Sequence, residues 1–462
     1  MSEDLVYLPA VEHARLIRER VLSPVELVTA YLDRAEALNP ALNCYITVAA
    51  EQALEAARVA EKRVMEGGPL PPLHGVVVAI KDLTDTAGIR TTMGTSSYAD
   101  RVPTQDAYVV SRLKAAGCIV LAKSNTAEFG VGSTDPLTYG PARNPWDLAR
   151  TTRGSSGGAA AAAAAGMCSV AHGTDGGGSI RLPAATCGAV GLKPSRGRIS
   201  SAPAGQHMQV QAGTLSRSVA DAAATLDALS GPVPGDGFWA PELGRLYLDE
   251  LALPVRRLRI VVTTSFREAP VHPEYVEAVQ KAARAFEQMG HDVVDGSVPW
   301  PSDEVIAKFI WAFSARLLAM DQSLPPFESL DPTLRELIEQ ASQVTLTDYL
   351  LAEQEQGALT RVMGEWFADV DLLLTPTVTG RPRGVDQLRK EGGAMADDPG
   401  VGPFCFIWNM TGQPAISVPM GLDSEGLPLS VQLVAGAARD GVLLQAAHQL
   451  EKAVAWSGRP AL

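Results

Sequence analysis

Two glycines followed by seven alanines, Gly157 through Ala165, constrain this chain more than any other stretch. Alanine is the strongest helix former and brings almost no side-chain bulk. The helix expected over 159–167 can therefore lie close against its neighbours and be buried all round. It is too short and too weakly apolar to cross a bilayer, which takes roughly 20 residues. Its flanks carry chemistry. Ser155 and Ser156 precede it among glycines, and Ser179 follows it in Gly173-Thr174-Asp175-Gly176-Gly177-Gly178-Ser179. Glycine frees the backbone to bring N–H groups close to a ligand. Three glycines before a serine, next to a helix or helical turn expected over 180–187, suit an anion or a developing oxyanion.

Upstream, Gly75-Val76-Val77-Val78-Ala79-Ile80 is a continuous apolar, β-branched run, the mark of a strand buried on both faces. It leads straight into Lys81-Asp82. A buried lysine is costly unless paired or neutral, so Lys81 either reaches solvent at the strand end or does something there. An amphipathic helix over 109–116 and a strand over 118–122 continue an α/β alternation. Residues 5–65 read as helices, with Ser23-Pro24-Val25-Glu26 as a helix start. Asp147–Arg153 reads as a polar loop.

Further on, strands are expected over 259–263, 370–374, 415–418 and 429–434, and helices over 273–289 and 442–451. After the helix at 273–289 come helical stretches bearing Phe309, Trp311, Phe313, Leu317, Leu318 and later Leu334, Leu337 and Ile338. Such a stripe is core, or in part the lining of a pocket. Residues 380–400, rich in Gly, Arg, Lys and Asp, read as a mobile surface loop. There is no tandem repeat and no low-complexity linker.

Composition narrows the function. The 39 basic against 52 acidic residues leave a formal charge of −13 with no basic block, which argues against nucleic acid as a partner. Five cysteines (Cys44, Cys118, Cys168, Cys187 and Cys405) show no metal-type spacing and read as reduced, mostly buried thiols. MSEDLVYLPA is not a signal peptide. A soluble, cytoplasmic protein is expected, with no membrane association.

Several motifs compete for the chemistry. Ser111-Arg-Leu-Lys114 fits S-x-x-K but sits in an ordinary amphipathic helix. Gly130-Val-Gly132 lacks the third glycine of a dinucleotide fingerprint. Gly154-Ser-Ser156-Gly-Gly158 satisfies G-x-S-x-G, the nucleophile elbow of an α/β-hydrolase-type esterase using Ser156. That motif needs a strand directly before the serine, where this chain reads as a loop. The late histidine His448 lies on a surface helix.

The remaining set, Lys81, Ser155 and Ser179, together with Gly188-Ala-Val-Gly-Leu-Lys-Pro194 and Gly412-Gln-Pro-Ala-Ile-Ser417, resembles the amidase signature family. The resemblance is strong over 70–230 and moderate over 370–455. It implies an α/β fold in which one large mixed β-sheet is covered by helices on both faces. It also implies one domain, 1–462. An N-terminal helical segment (1–68) would precede the catalytic core (69–230), a variable, mostly helical insertion shaping the pocket (231–370), and a C-terminal part completing the sheet (371–462).

Carried over residue by residue, the resemblance makes Ser179 the acylated nucleophile, Ser155 the bridging serine after a cis Gly154–Ser155 bond, and Lys81 the general base. The amides of Gly176, Gly177, Gly178 and Ser179 match oxyanion donors. Asp175 and Arg181 match residues bracing that loop, and Gly130 falls where the pocket wall nears the substrate. Two departures stand out. Arg153 replaces a usual glycine, and Gly176 replaces threonine, isoleucine or alanine, which should loosen the loop or open space near the scissile group.

The implied activity is amide hydrolysis through an acyl-enzyme, with no metal or cofactor. Lys81, neutral through burial, draws a proton through Ser155; Asp82, next along the strand, points to the other face. The stretch around Arg143–Pro145 and Gly188–Ser200 most resembles the branch acting on nylon-type oligoamides and aryl amides. Neutral, bulky or aryl amides are expected substrates, with carbamates (urethanes) or esters as further options, for a monomer or homodimer. The alternative within the resemblance is the amidase subunit of a tRNA-dependent glutamine amidotransferase.

Overall fold

The computed structural model describes residues 3–203, 209–319, 324–390 and 402–462. Its strands are β1 (Tyr45–Val48), β2 (Val77–Lys81), β3 (Ile119–Ser124), β4 (Arg143–Asn144), β5 (Asp147–Thr151), β6 (Val170–Asp175) and β7 (Val190–Lys193). There follow β8 (Gln211–Ser216), β9 (Arg259–Val262), β10 (Asp292–Asp295), β11 (Leu372–Pro376), β12 (Ala415–Leu422) and β13 (Pro428–Ala435). Eleven of them form one mixed sheet in the order β1-β3-β2-β6-β8-β7-β12-β13-β11-β9-β10. β2 lies parallel to both β3 and β6. β6 and β7 each run antiparallel to β8, and β12 to β7.

The β2 run is buried throughout because both faces are covered. Val77 and Ala79 pack with the alanines of the helix Gly157–Ala164, and Val78 and Ile80 with Val109, Val110, Leu113 and Leu229 on the other side. This is the layered α/β arrangement expected, with a core on each face of the sheet. Every residue of Gly157–Ala164 is buried. A Cβ on Gly158 would stand 2.5 Å from the Cys44 carbonyl oxygen, so no larger residue fits that approach.

The N-terminal helix start is a capping box. Ser23 Oγ accepts from Glu26 N at 3.4 Å, and Glu26 Oε2 accepts from Ser23 N at 3.1 Å. Two local expectations fail. Residues 5–65 are not all helical, since β1 adds an antiparallel edge strand beside β3. Asp147–Thr151 is also a strand, paired with Arg143–Asn144 in a two-stranded ribbon apart from the main sheet. Its polar residues suit a ribbon lying half in solvent, which is why they read as a loop.

The five cysteines are free and buried. Among the described residues no helix is long and apolar enough to cross a membrane. Of the region read as a surface loop, Val385–Lys390 is a helix and 391–401 lie outside the described residues.

Candidate active site

Four segments meet at the C-terminal ends of β2 and β6. Lys81 closes β2 with its side chain fully buried. Its Nζ donates to Ser155 Oγ at 2.7 Å and to Thr174 Oγ1 at 3.0 Å. Burial pushes Lys81 down to about 7, the nearby Asp175 carboxylate opposing part of the shift. Asp82 faces away, taking N–H and O–H from Thr92 at 2.9 and 2.5 Å. Its other oxygen lies 3.9 Å from Lys123 Nζ.

Ser155 follows a cis Gly154–Ser155 bond. Its carbonyl accepts from Thr134 Oγ1 at 3.1 Å and from Ala127 N at 3.3 Å. A Cβ on Gly130, whose φ is +81°, would stand 3.6 Å from Ser155 Oγ and 2.8 Å from Leu83 Cδ1. Gly130 thus lies beside the hydroxyl with no side chain to cover it. The neighbouring Phe129 and Val131 pack on Leu330, Leu334 and Leu337, which join the helix Pro332–Ala341 to this loop.

The second serine loop folds back onto the first. Ser156 N donates to the Ser179 carbonyl at 3.2 Å, and Ser156 Oγ donates to the Thr174 carbonyl at 3.2 Å. Ser156 is fully buried in this role, whereas Ser179 is half-buried.

Asp175 ties the glycine loop together. Its carboxylate accepts from the amides of Gly178 at 2.8 Å and Ile180 at 3.1 Å. It also takes Arg181 Nε at 3.0 Å and Nη2 at 2.8 Å, and Asn409 Nδ2 at 2.9 Å. Burial alone would raise this carboxyl, but the Arg181 guanidinium beside it holds it well below the usual carboxylate range. Arg181 in turn donates to the Cys405 carbonyl at 2.9 Å and to Gln432 Oε1 at 2.8 Å. The loop is thereby fastened to the chain's last strand, β13, and to the short helix Ile407–Thr411.

Sequence reasoning assigned no role to Thr174, Asn409 or Gln432. Thr174 was findable, since it sits five residues before Ser179 at the end of a strand beside β2. Asn409 and Gln432 are joined to Asp175 and Arg181 by tertiary structure alone.

With this geometry in place, the comparisons are informative. The model of the amidase family matches residues 26–444. A 6-aminohexanoate-cyclic-dimer hydrolase from Paenarthrobacter ureafaciens is 35% identical, covering 99% of this chain and 97% of that protein. An acylamidase from Rhodococcus erythropolis is 34% identical over 99% of this chain and 98% of its own. A solved 6-aminohexanoate cyclic dimer hydrolase with substrate superposes with a TM-score of 0.90, at 34% identity and 99% coverage of both chains.

The chain belongs to the amidase signature family.

It is accordingly a hydrolase of amides. Both departures from the family pattern now have a structural setting. Arg153 adopts φ +59°, a left-handed conformation that favours the glycine usual there. Its buried guanidinium donates to the Gly380 carbonyl at 2.9 Å, fastening the Ser155 loop to the segment after β11. At Gly176 a Cβ would stand 3.1 Å from Val210 Cγ2 and 3.5 Å from Phe313 Cε2, so the missing side chain relieves a tight contact with Val210.

Proposed function

We propose that this amidase works through Ser179 as nucleophile, Ser155 as proton bridge and neutral Lys81 as base. The observation that carries the reading is the 2.7 Å contact between Lys81 Nζ and Ser155 Oγ, made by a lysine that burial has brought to about 7. At neutral pH a large share of Lys81 is then a free amine with a lone pair to receive a proton. Thr174 Oγ1 accepts one amine N–H and thereby turns the lone pair toward Ser155.

In the first half-reaction Ser179 attacks the scissile carbonyl while its proton passes through Ser155 to Lys81. The oxyanion is received by the amides of Gly176, Gly177 and Ser179. The Gly178 N–H is already directed at Asp175, so its part is to shape the loop. Ser155 returns the proton to the leaving amine, and water then hydrolyses the acyl-enzyme. No step calls for a metal or cofactor. Asp175 and Arg181 brace the loop so that its amides are aimed before the substrate arrives, the condition under which such donors are most effective.

The substrate class is neutral amides with a bulky or aryl group. Leu83, Phe129, Val131, Phe313 and Phe406 bring apolar side chains to the two serine loops and their supports. The acylamidase and cyclic-dimer hydrolase relatives are in keeping with such substrates. Carbamates, whose carbonyl would carbamoylate the same serine, are a further substrate class, with esters as a side activity.

The test is a hydrolysis panel of anilides, fatty amides, glutamine, esters and aryl carbamates with the isolated chain, run beside Ser179→Ala. Turnover of anilides by the wild type and none by the variant is expected. Hydrolysis of glutamine alone would favour an amidotransferase subunit, and equal turnover by the variant would refute the nucleophile.

A further inference from the structure

The aromatic stripe on the helix Asp303–Ala319 divides into two functions. Phe309 is 6% exposed and belongs to a cluster with Phe404, Trp408 and Met363. Its ring centroid lies 6.1 Å from that of Phe406, at an interplanar angle of 30°. Phe313, one turn further on the same face, is half-buried and reaches the glycine loop instead. Its Cε2 and Cζ lie 3.5 and 3.9 Å from the position a Cβ on Gly176 would take. Phe406 approaches the next residue, its Cβ 3.9 Å from the corresponding position on Gly177. The loop that carries Ser179 is thus flanked by two aromatic residues, where its own residues offer only backbone.

We propose that Phe313 is a specificity-determining residue that selects substrates with an aromatic ring attached to the scissile group. The proposal rests on Ser179 being the nucleophile. A flat group bound next to this loop meets the Phe313 ring in the offset or edge-on contact that aromatic pairs favour. An aliphatic group of the same size gains only burial. A methyl at position 176 would crowd Val210 Cγ2 at 3.1 Å and meet the Phe313 ring in ordinary contact at 3.5 Å, so the ring lies against this side of the loop. Phe313 touches the substrate's substituent, not the reacting atoms, so its effect falls on selection between substrates.

The experiment compares kcat/KM for an anilide and a benzamide with that for cyclohexyl amides of matching size, in wild type, Phe313→Ala, Phe313→Leu and Ser179→Ala. Thermal melts confirm that each variant is folded. The expected result is a loss of about tenfold or more on one or both aryl substrates for Phe313→Ala. This loss sits mainly in KM, with the cyclohexyl substrates changed less than about threefold. Phe313→Leu lowers the same aryl-to-cyclohexyl ratio by less. A uniform loss on all substrates, or no change in the ratio, overturns the proposal and leaves the nucleophile untouched if Ser179→Ala is inactive. Turnover by Ser179→Ala overturns the underlying reading whatever the ratio. Should Phe313→Ala fail to fold, the ratio of Phe313→Leu decides.

Discussion

Lys81 Nζ and Ser155 Oγ lie 2.7 Å apart although 74 residues separate them in sequence. The contact is made at a strand end buried so deeply that the lysine titrates at about 7. Strand, lysine and glycine-set serine make one device. The apolar β2 run buries the amine, burial frees its lone pair, and the short contact gives that lone pair a proton to accept.

The active form is the neutral amine, so activity should rise with pH through the folded-state value of Lys81. A plot of log kcat/KM against pH is expected to climb with unit slope below about pH 7 and to level above it. Lys81→Arg, which keeps the charge at every pH, should lower kcat by a factor of about 10² to 10⁴. A wild-type profile flat from pH 5 to about pH 9 would contradict a lysine base of this kind.

Thr174 accepts a hydrogen bond from Lys81 Nζ at 3.0 Å, and such a bond favours the charged amine more than the neutral one. Thr174→Val is therefore expected to move the acid limb of the profile to lower pH. It should also reduce kcat by about tenfold through lost orientation, with little change in KM. A limb that stays in place with kcat unchanged would mean that Thr174 only packs.

Ser155 and Ser156 are adjacent, and their side chains do different things. Ser156 Oγ is bonded to the Thr174 carbonyl at 3.2 Å and is fully buried, so Ser156→Ala should lose about 1 kcal/mol of stability and keep most of its activity. Ser155→Ala should keep its fold and lose kcat by about 10² or more, since the proton path is broken. Kinetics of the two variants side by side check this, and the reverse pattern would restore the nucleophile-elbow reading.

Removing charge from Asp175 leaves Arg181 buried with a weakened partner. Breaking one side of a buried ion pair costs about 3 to 5 kcal/mol, so Asp175→Asn should lower the urea midpoint markedly. Activity should fall as well, because Gly178 N and Ile180 N lose the carboxylate that holds the glycine loop. In the wild type, Asp175 has its folded value depressed, so its stabilisation is complete above the ordinary carboxylate value of 3.8 and declines below it. Denaturation curves recorded between pH 3 and 8 test both statements.

Much of this site is legible in local pattern. An apolar run ending in lysine, serines set among glycines and an alanine helix each mark a backbone condition that few residues meet. β2 and β3 are legible for the same reason, as continuous apolar runs, whereas β8 (Gln211–Ser216) in the middle of the sheet has no such run and becomes a strand only in the fold. Other misread pieces lie at the edge of the main sheet or outside it. β1 and the β4–β5 ribbon carry no periodicity of their own and become strands through pairing. Asn409 and Gln432 are invisible for another reason, since an amide side chain acquires its role only when a distant carboxylate or guanidinium is folded against it. Phe313 differs from Phe309 in nothing that the sequence records, and only packing separates wall from core.

The central claim is that Ser179 is the residue acylated, and a covalent trap tests it most directly. An activated aryl carbamate that deacylates slowly would be reacted with the enzyme, and the tryptic peptide from Gly154 to Arg181, which contains Ser155, Ser156 and Ser179, would be sequenced by tandem mass spectrometry. The account predicts one carbamoyl group on Ser179, absent from Ser179→Ala. A label on Ser155 or Ser156 in the active wild-type enzyme would contradict it.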